Sequence, residues 1–518
     1  MNYQNFLKFY EKEFLKKKKF LLKILTLSFN NIHNKNFKKE NYKFLLGPWL
    51  DEFLKIYLLR KYHLRFIKKK LKMNKNTNIF IHNDYADFVI NSNNLNFNLN
   101  FFSKLQRSKN KFNYRIKNIK KKYSFIFKVK FKIYLFMLHK LINKNTILLI
   151  HSKFDKFFLI KLFFKSRFNI VPFIHNNIYH PDPKYIKKNF MIRDKFKKEI
   201  NKLLSKKSLV KLITDNIPAA YLENFKYYDE LSEKIYPKLP KAIFTTTCHL
   251  ENEILKFSLM KWSSIAKPKI YISQHGGNYS ISNQLGLGCH DYEISDKYFT
   301  WGYKFRKKDI SSNALQVISK INNYRNFKKN YVTFILGPNI LNDFQRYVYQ
   351  NVNYKKLYQN RLSFLKNFKD SKKLIFKKYF EKRYTLQDDE KIIKKKLSIQ
   401  SNKITNNFEI IYESKILIFD YFSTMFFEII NLKIPFIFIL DEKNFYFSKI
   451  GIDLINFLKN NNLLFKSGDI AAKHLNKINN FEKWWETTVN QNELNIIKSK
   501  VANIELKNLQ FWVEQFNS

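Results

Sequence analysis

Short runs in which every position is apolar alternate along this chain with longer stretches whose apolar residues recur every three or four positions. The runs Thr146–Ile150, Asn169–Ile174, Ala242–Thr246 and Lys269–Ser273 read as strands covered on both faces. So do Tyr331–Leu336, Lys373–Phe376, Glu409–Tyr412, Ile416–Phe419 and Pro435–Leu440. Tyr42–Leu46, closed by Gly47-Pro48-Trp49, reads as one more strand, followed by a helix to about Lys70. Tyr347–Phe368 and Thr424–Asn431 carry helical periodicity, and the stretch from Asn74 to Lys122 reads as a loop-bearing insertion. Continuous apolar strands separated by helices predict parallel sheets with helices on both faces. Two such series predict an α/β protein of two Rossmann-like, doubly wound domains facing a cleft. The expected limits are a basic helical extension at 1–40, a first domain at 41–325 and a second at 326–475. Helices at 476–518, carrying Trp484, Trp485 and Trp512, are expected to cross back to the first domain.

Composition changes the picture in two places. The formal charge of +55 suggests a polyanion partner, yet 85 of the 96 basic residues are lysine. Lys, Asn, Ile, Phe and Tyr are abundant while Gly, Pro, Ala and Arg are scarce, the split that A/T-rich codons produce. Arginine, the residue suited to two-pronged contact with phosphate and base edges, is the one in short supply. Sequence-specific nucleic-acid binding is therefore disfavoured. The run Lys16–Lys19 beside Phe20-Leu21-Leu22 instead favours peripheral contact with an anionic membrane. No apolar run long enough to span a bilayer is present, and two cysteines, Cys248 and Cys289, make no disulfide framework, so a cytoplasmic location is expected. The second change concerns glycine. Only nine occur, so each should mark a position needing positive φ or close backbone approach. Four of them, Gly276, Gly277, Gly286 and Gly288, fall together.

Candidate chemistry gathers at two strand ends. The strand Ile416–Phe419 runs into Asp420-Tyr421-Phe422-Ser423-Thr424 and then an apolar helix. Ligands of doubly wound sheets bind beyond the carboxyl ends of strands, where helix N-termini attract phosphate. Ser423 and Thr424 are thus candidates for donor phosphate, with an ordinary helix cap at Ser423 as the alternative. Glu428 falls four residues after Thr424 among Phe426, Phe427, Ile429 and Ile430, too apolar a setting for a carboxylate without a partner. Sugar or ribose hydroxyls are one such partner, for Glu428 and for Asp420; a buried lysine pair is the other. The second strand end is Gln274-His275-Gly276-Gly277-Asn278, a cleft loop whose histidine titrates near neutrality and suits a general base. Cys248-His249, His275 and Cys289-His290 lack the spacing of a zinc site, and neither a P-loop nor a dinucleotide fingerprint is present. No metal and no cofactor are expected.

The segment Asp420–Thr424 with Glu428 and Pro435 resembles the donor element of GT-B-fold polymer transferases such as the CDP-glycerol glycerophosphotransferases. Gln274-His275-Gly276 resembles their His-Gly element. More closely, the chain resembles the transferase family encoded in O-antigen and surface-polysaccharide gene clusters. Leu45–Leu50, Gln274–Gly277 with Asp296–Gly302, Asp420–Glu428 and Glu482–Gln491 carry that resemblance over nearly the whole length. It implies a GT-B-like enzyme that moves a sugar from a nucleotide-activated donor, as substrate, to a glycan or lipid-linked acceptor. His275 would be the base, and Ser423 and Thr424 would hold the diphosphate. The family's arginine-bearing strand end is replaced here by Phe376-Lys377-Lys378, which makes Lys378 a further phosphate candidate. Alternatives are phosphopolyol transfer, a non-catalytic scaffold of polysaccharide assembly, and a basic nucleic-acid-binding protein.

Overall fold

A computed structural model describes residues 3–64, 78–92, 97, 101, 105, 113–116, 125–173, 191–281, 290–315, 317–318, 329–337, 344–345, 348–349, 354–370, 373–377, 404–405, 409–432, 434–442, 447–505 and 509–518. The chain forms two compact units. The first comprises Met1–Ser273, Leu287–Tyr298 and Asn508–Ser518, and the second comprises Gln274–Gly286 and Phe299–Lys507. The division departs from the expected limits, since residues from Phe299 on, expected in the first domain as far as 325, belong to the second unit. The turn after Ser273, expected in the first domain, packs with the second unit.

The first unit opens with α1 (Tyr3–His33), α2 (Lys39–His63) and, further on, α3 (Phe125–Leu141). Its sheet contains β1 (Ile147–Ile150), β2 (Ile170–Phe173), β3 (Ala242–Thr245) and β4 (Lys269–Ser273), with α4 (Lys156–Lys165) between β1 and β2 and α5 (Glu253–Ile265) between β3 and β4. The six-stranded sheet runs in the order β2-β1-β3-β4-β5-β6, where β5 is Lys297–Thr300 and β6, from residues grouped with the second unit, is Asp309–Ser311. β1 pairs in parallel with both β2 and β3, and β3 with β4, as expected for strands covered on both faces.

Residues 1–40 do not form a separate extension. Tyr10, Phe14, Leu25 and Phe29 of α1 are fully buried, and Lys18, inside the lysine run, is buried between Asp51 (2.6 Å) and Glu293 (2.8 Å). The expected strand at Tyr42–Leu46 is instead the interior of α2. A helix buried on nearly every side shows no polar face, so its apolar run cannot be told from a strand by periodicity. Gly47 and Pro48 both disfavour a helix interior. Gly47 is explained by packing, because a Cβ there would lie 2.3 Å from His290 Cε1. Burial of the His290 ring pushes its pKa well below the ordinary histidine value. In α5, Lys256 donates to Glu253 (2.8 Å) and to the Tyr221 hydroxyl (2.9 Å), and burial raises the Glu253 carboxyl to about 7.

His33 gives this unit a pH dependence. Its ring stacks on Phe225 with centroids 4.0 Å apart, its Nε2 lies 3.0 Å from the Tyr221 carbonyl, and burial lowers its pKa to about 4. The unfolded chain takes up a proton near pH 6.5 while the folded one does not until about 4. Stability from this group is therefore complete above 6.5 and is lost as pH falls towards 4. Thermal melts from neutral pH down to about 4 should show a smaller fall for His33→Gln, which keeps a donor but does not titrate, than for the native chain.

The second unit carries β7 (Tyr331–Ile335), α6 (Tyr354–Asn367), β8 (Leu374–Lys377), β9 (Ile404–Thr405) and β10 (Ser414–Phe419). After these come α7 (Thr424–Ile429), β11 (Phe436–Ile439), α8 (Lys449–Asn460) and β12 (Leu464–Phe465). The sheet order is β9-β8-β7-β10-β11-β12, and every adjacent pair is parallel. Glu409–Ile411, expected as strand, is a short 3-10 turn leading into β10. The core is dense in phenylalanine, with Phe334, Phe364, Phe376, Phe419, Phe422, Phe426, Phe436 and Phe438 all buried. The helices α9 (Phe481–Thr488) and α10 (Gln491–Val501) stay with this unit. Trp485 packs its ring 4.8 Å from Phe436, and Trp484 and Trp485 both lie against the core of this unit. Only α11 (Leu509–Asn517) returns, where Trp512 lies 4.7 Å from Phe154 and 5.9 Å from Phe244.

Candidate functional site

β10 ends at Phe419 and α7 begins at Thr424, so the turn between them carries Asp420, Ser423 and Thr424 at the carboxyl edge of the second sheet. Ser423 caps α7: its Oγ accepts from the Phe426 N–H at 3.3 Å, and the residue is buried. The cap reading is therefore realised for Ser423, while Thr424 beside it is half-buried. Glu428 is buried one turn deeper in the same helix, flanked by Phe427 and Ile429, which are buried as well.

The Gln274–Asn278 turn meets this element within the same unit. A Cβ added to Gly276 would lie 3.2 Å from Thr424 Oγ1, and one added to Gly277 only 1.8 Å from the Phe427 ring. Asn278 Nδ2 donates to the Phe422 carbonyl at 3.3 Å. Neither glycine has positive φ, so close approach is the reason for both. Gln274 fixes the turn from behind. Its backbone N–H donates to the Phe299 carbonyl (2.8 Å), its Nε2 to the Gly276 carbonyl (2.7 Å), and its Oε1 accepts from the Trp301 N–H (3.1 Å). The Trp301 indole N–H donates to the Gln274 carbonyl at 3.0 Å. Gln274 is thus a buried brace, not a group offered to a ligand. His275 itself is half-buried, with the Tyr279 hydroxyl 3.1 Å from Nε2 and 3.3 Å from Nδ1. An imidazole held at one side by a hydroxyl and partly open to solvent can accept a proton.

Asp420 departs from its expected role as a hydroxyl ligand. Its Oδ1 accepts from the Gly337 N–H at 2.7 Å and its Oδ2 from Arg361 Nε at 2.6 Å, with the carboxylate wholly buried. Arg361, from α6, also donates through Nη2 to the Gly337 carbonyl at 3.1 Å. A guanidinium does reach the strand ends, but from a helix 59 residues before Asp420. The sequence reading missed it; its signal was the rarity of arginine in so lysine-rich a chain. Arg193, bonded through Nε and Nη2 to the two carboxylate oxygens of Glu223 (2.7 and 2.8 Å), and Arg306 on Asp309 (3.1 Å) have the same character. Lys378 lies outside the described residues, as do Gly286, Gly288 and Cys289. Lys377 is buried at the end of β8.

Among the described residues no group of three or more His, Cys, Asp or Glu side chains is arranged to hold a metal ion. His249 Nε2 is taken by Asp291 at 2.8 Å, and burial pushes the Cys248 thiol up to about 12, far from the thiolate that zinc requires. Among the described residues no helix is long and apolar enough to cross a membrane.

Both units are parallel α/β, and the second sets a His-Gly-Gly turn against a hydroxyl-bearing strand–helix turn. The family profile described as LIC12162 family transferase matches residues 7–516, and the chain belongs to this family of transferases. No curated protein matches it. Among solved structures it is similar to a spinosyn rhamnosyltransferase, SpnG, complexed with spinosyn aglycone. The identity is 10%, the TM-score 0.30, and the alignment covers 72% of this chain and 100% of that one.

Proposed function

We propose that this transferase is a GT-B-like glycosyltransferase of surface-polysaccharide assembly, moving a sugar from a nucleotide-activated donor to a hydroxyl of a glycan or lipid-linked acceptor. His275 takes the proton from the acceptor hydroxyl, the acceptor oxygen forms a bond to the anomeric carbon, and the bond from that carbon to the nucleoside diphosphate breaks. The leaving diphosphate carries away the electron pair. Thr424 Oγ and the first N–H groups of α7 stabilise that charge, and Glu428 holds donor hydroxyls. Ser423 and Asp420 contribute by shaping the turn. The observation that supports this reading is the seating of Gly276 against Thr424 Oγ1, which brings the proposed base and the proposed phosphate cradle together in one unit.

The test is a panel of UDP-, GDP- and CDP-linked donors incubated with the purified chain and a lipid-linked acceptor extract, followed by mass spectrometry. A hexose, deoxyhexose or related sugar increment supports the proposal. A glycerol-phosphate or other phosphopolyol increment replaces it with phosphopolyol transfer. Failure of every donor to raise the melting temperature would leave a scaffold as the better account.

A further inference from the structure

Tyr279 is buried, yet its hydroxyl ends at the ring of half-buried His275, 3.1 Å from Nε2 and 3.3 Å from Nδ1. The two rings stand nearly edge to face, with centroids 5.1 Å apart and planes at 70°. The oxygen is almost equidistant from the two nitrogens, so a small rotation of the imidazole brings either one onto it. A phenol hydroxyl both donates and accepts, and an imidazole is fixed in one tautomer by the bond that its other nitrogen makes. The Asp420 carboxylate on the facing turn does not do this, because its oxygens are taken by the Gly337 N–H and by Arg361.

The tyrosine is itself held from outside its own turn. It lies in the helical stretch Asn278–Ile281, whose four residues are too few to keep a helix by themselves. At the start of that stretch Asn278 Nδ2 donates to the Phe422 carbonyl at 3.3 Å. At its end Ser448, the N-cap of α8, donates twice: its N–H to the Ile281 carbonyl (2.9 Å) and its Oγ to the Ser280 carbonyl (2.6 Å). The same Oγ accepts from the Gly451 N–H at 3.0 Å. Close approach explains Gly451, since a Cβ there would lie 2.2 Å from the Ile281 carbonyl oxygen, a backbone atom that cannot rotate away. All of these residues belong to the second unit. We infer that Tyr279 is a positioning residue for His275. Its hydroxyl oxygen accepts the ring N–H, which leaves the lone pair of the other nitrogen for the acceptor hydroxyl, and Ser448 keeps the tyrosine in place. The inference rests on the reading of His275 as the base. When the ring takes up a proton the same oxygen goes on accepting, so the hydroxyl favours the charged form.

The test is titration of His275 by NMR in the full chain with labelled histidine, its signal identified by its loss in His275→Ala. Tyr279→Phe keeps the buried ring and removes only the oxygen. The His275 midpoint should then fall by about 0.5 or more on the pH scale, the net worth of one hydrogen bond, with the melting temperature nearly unchanged. Where the donor panel yields product, kcat should drop about tenfold at an unchanged KM for the donor. The acid limb of the pH–rate profile should move down with the midpoint. Ser448→Ala should shift the midpoint in the same direction by less, and Ser448→Thr, which keeps a hydroxyl, should restore it. Two results would overturn the inference: an unmoved midpoint in Tyr279→Phe, or one that rises, which would mean that the hydroxyl donates to the neutral ring. A native midpoint in Ser448→Ala would strike Ser448 from the assignment. If His275→Ala keeps native turnover while Tyr279→Phe lowers the midpoint, the base reading falls and the hydroxyl contact stands.

Discussion

Arg361→Met should destabilise the second unit by about 3–5 kcal/mol, the cost of removing one partner from a buried ion pair. The guanidinium and the Asp420 carboxylate are 1% and 0% exposed, and Phe334, Phe364, Phe376 and Phe419 belong to the same core. Methionine approximates the volume but leaves the carboxylate with only the Gly337 N–H among its observed donors. Asp420→Asn on that background should return part of the loss, because an uncharged amide is far cheaper to bury. Arg361→Lys should recover less than its charge suggests, since an ammonium cannot reach Oδ2 and the Gly337 carbonyl with a planar fork. A chain of two units need not unfold in one step. Hydrogen exchange of β7, β10 and α6 is therefore the appropriate readout, with β1 and β3 of the first unit as internal control. Unchanged exchange in Arg361→Met would mean that the pair holds nothing together.

His275→Ala should lower turnover by about 10²–10⁴-fold, the usual contribution of a positioned acid or base. Donor affinity should change little, because the ring is proposed to take the acceptor proton and not to hold the diphosphate. The fold should persist: the ring is half-buried, and the turn is held by Gln274, Trp301 and Asn278 rather than by the imidazole. The pH–rate profile separates a base from a bystander. The native enzyme should lose activity as His275 becomes protonated on the acid side, and the residual activity of the alanine variant should lack that limb. A variant that keeps the native profile with a proportionally lower rate would move the proton transfer to another group.

The strands were legible because parallel strands covered on both faces leave uninterrupted apolar runs, as at Ile147–Ile150, Ile416–Phe419 and Phe436–Ile439. The same logic misassigned Tyr42–Leu46, where a helix with no polar face imitates such a run. The two turns of the candidate site were legible because each follows a strong strand and departs from local composition, one through glycine and the other through paired hydroxyls. What escaped was every feature fixed by a distant partner. Asp420 looked like a ligand residue until Gly337 and Arg361, 83 and 59 residues away in sequence, took up its oxygens. The capture of Gln274–Gly286 by the second unit likewise rests on Thr424, Phe427 and Ser448, which no local pattern announces.

The buried cations bear on any attempt to resurface so basic a chain for solubility or crystallisation. Among the described residues only Lys18, Arg60, Arg193, Lys256, Arg361 and Lys377 are buried. Those six are internal fixtures and should be left alone in any such redesign. Nearly all the other described lysines and arginines form a coat that can be thinned, charge by charge, without touching either core.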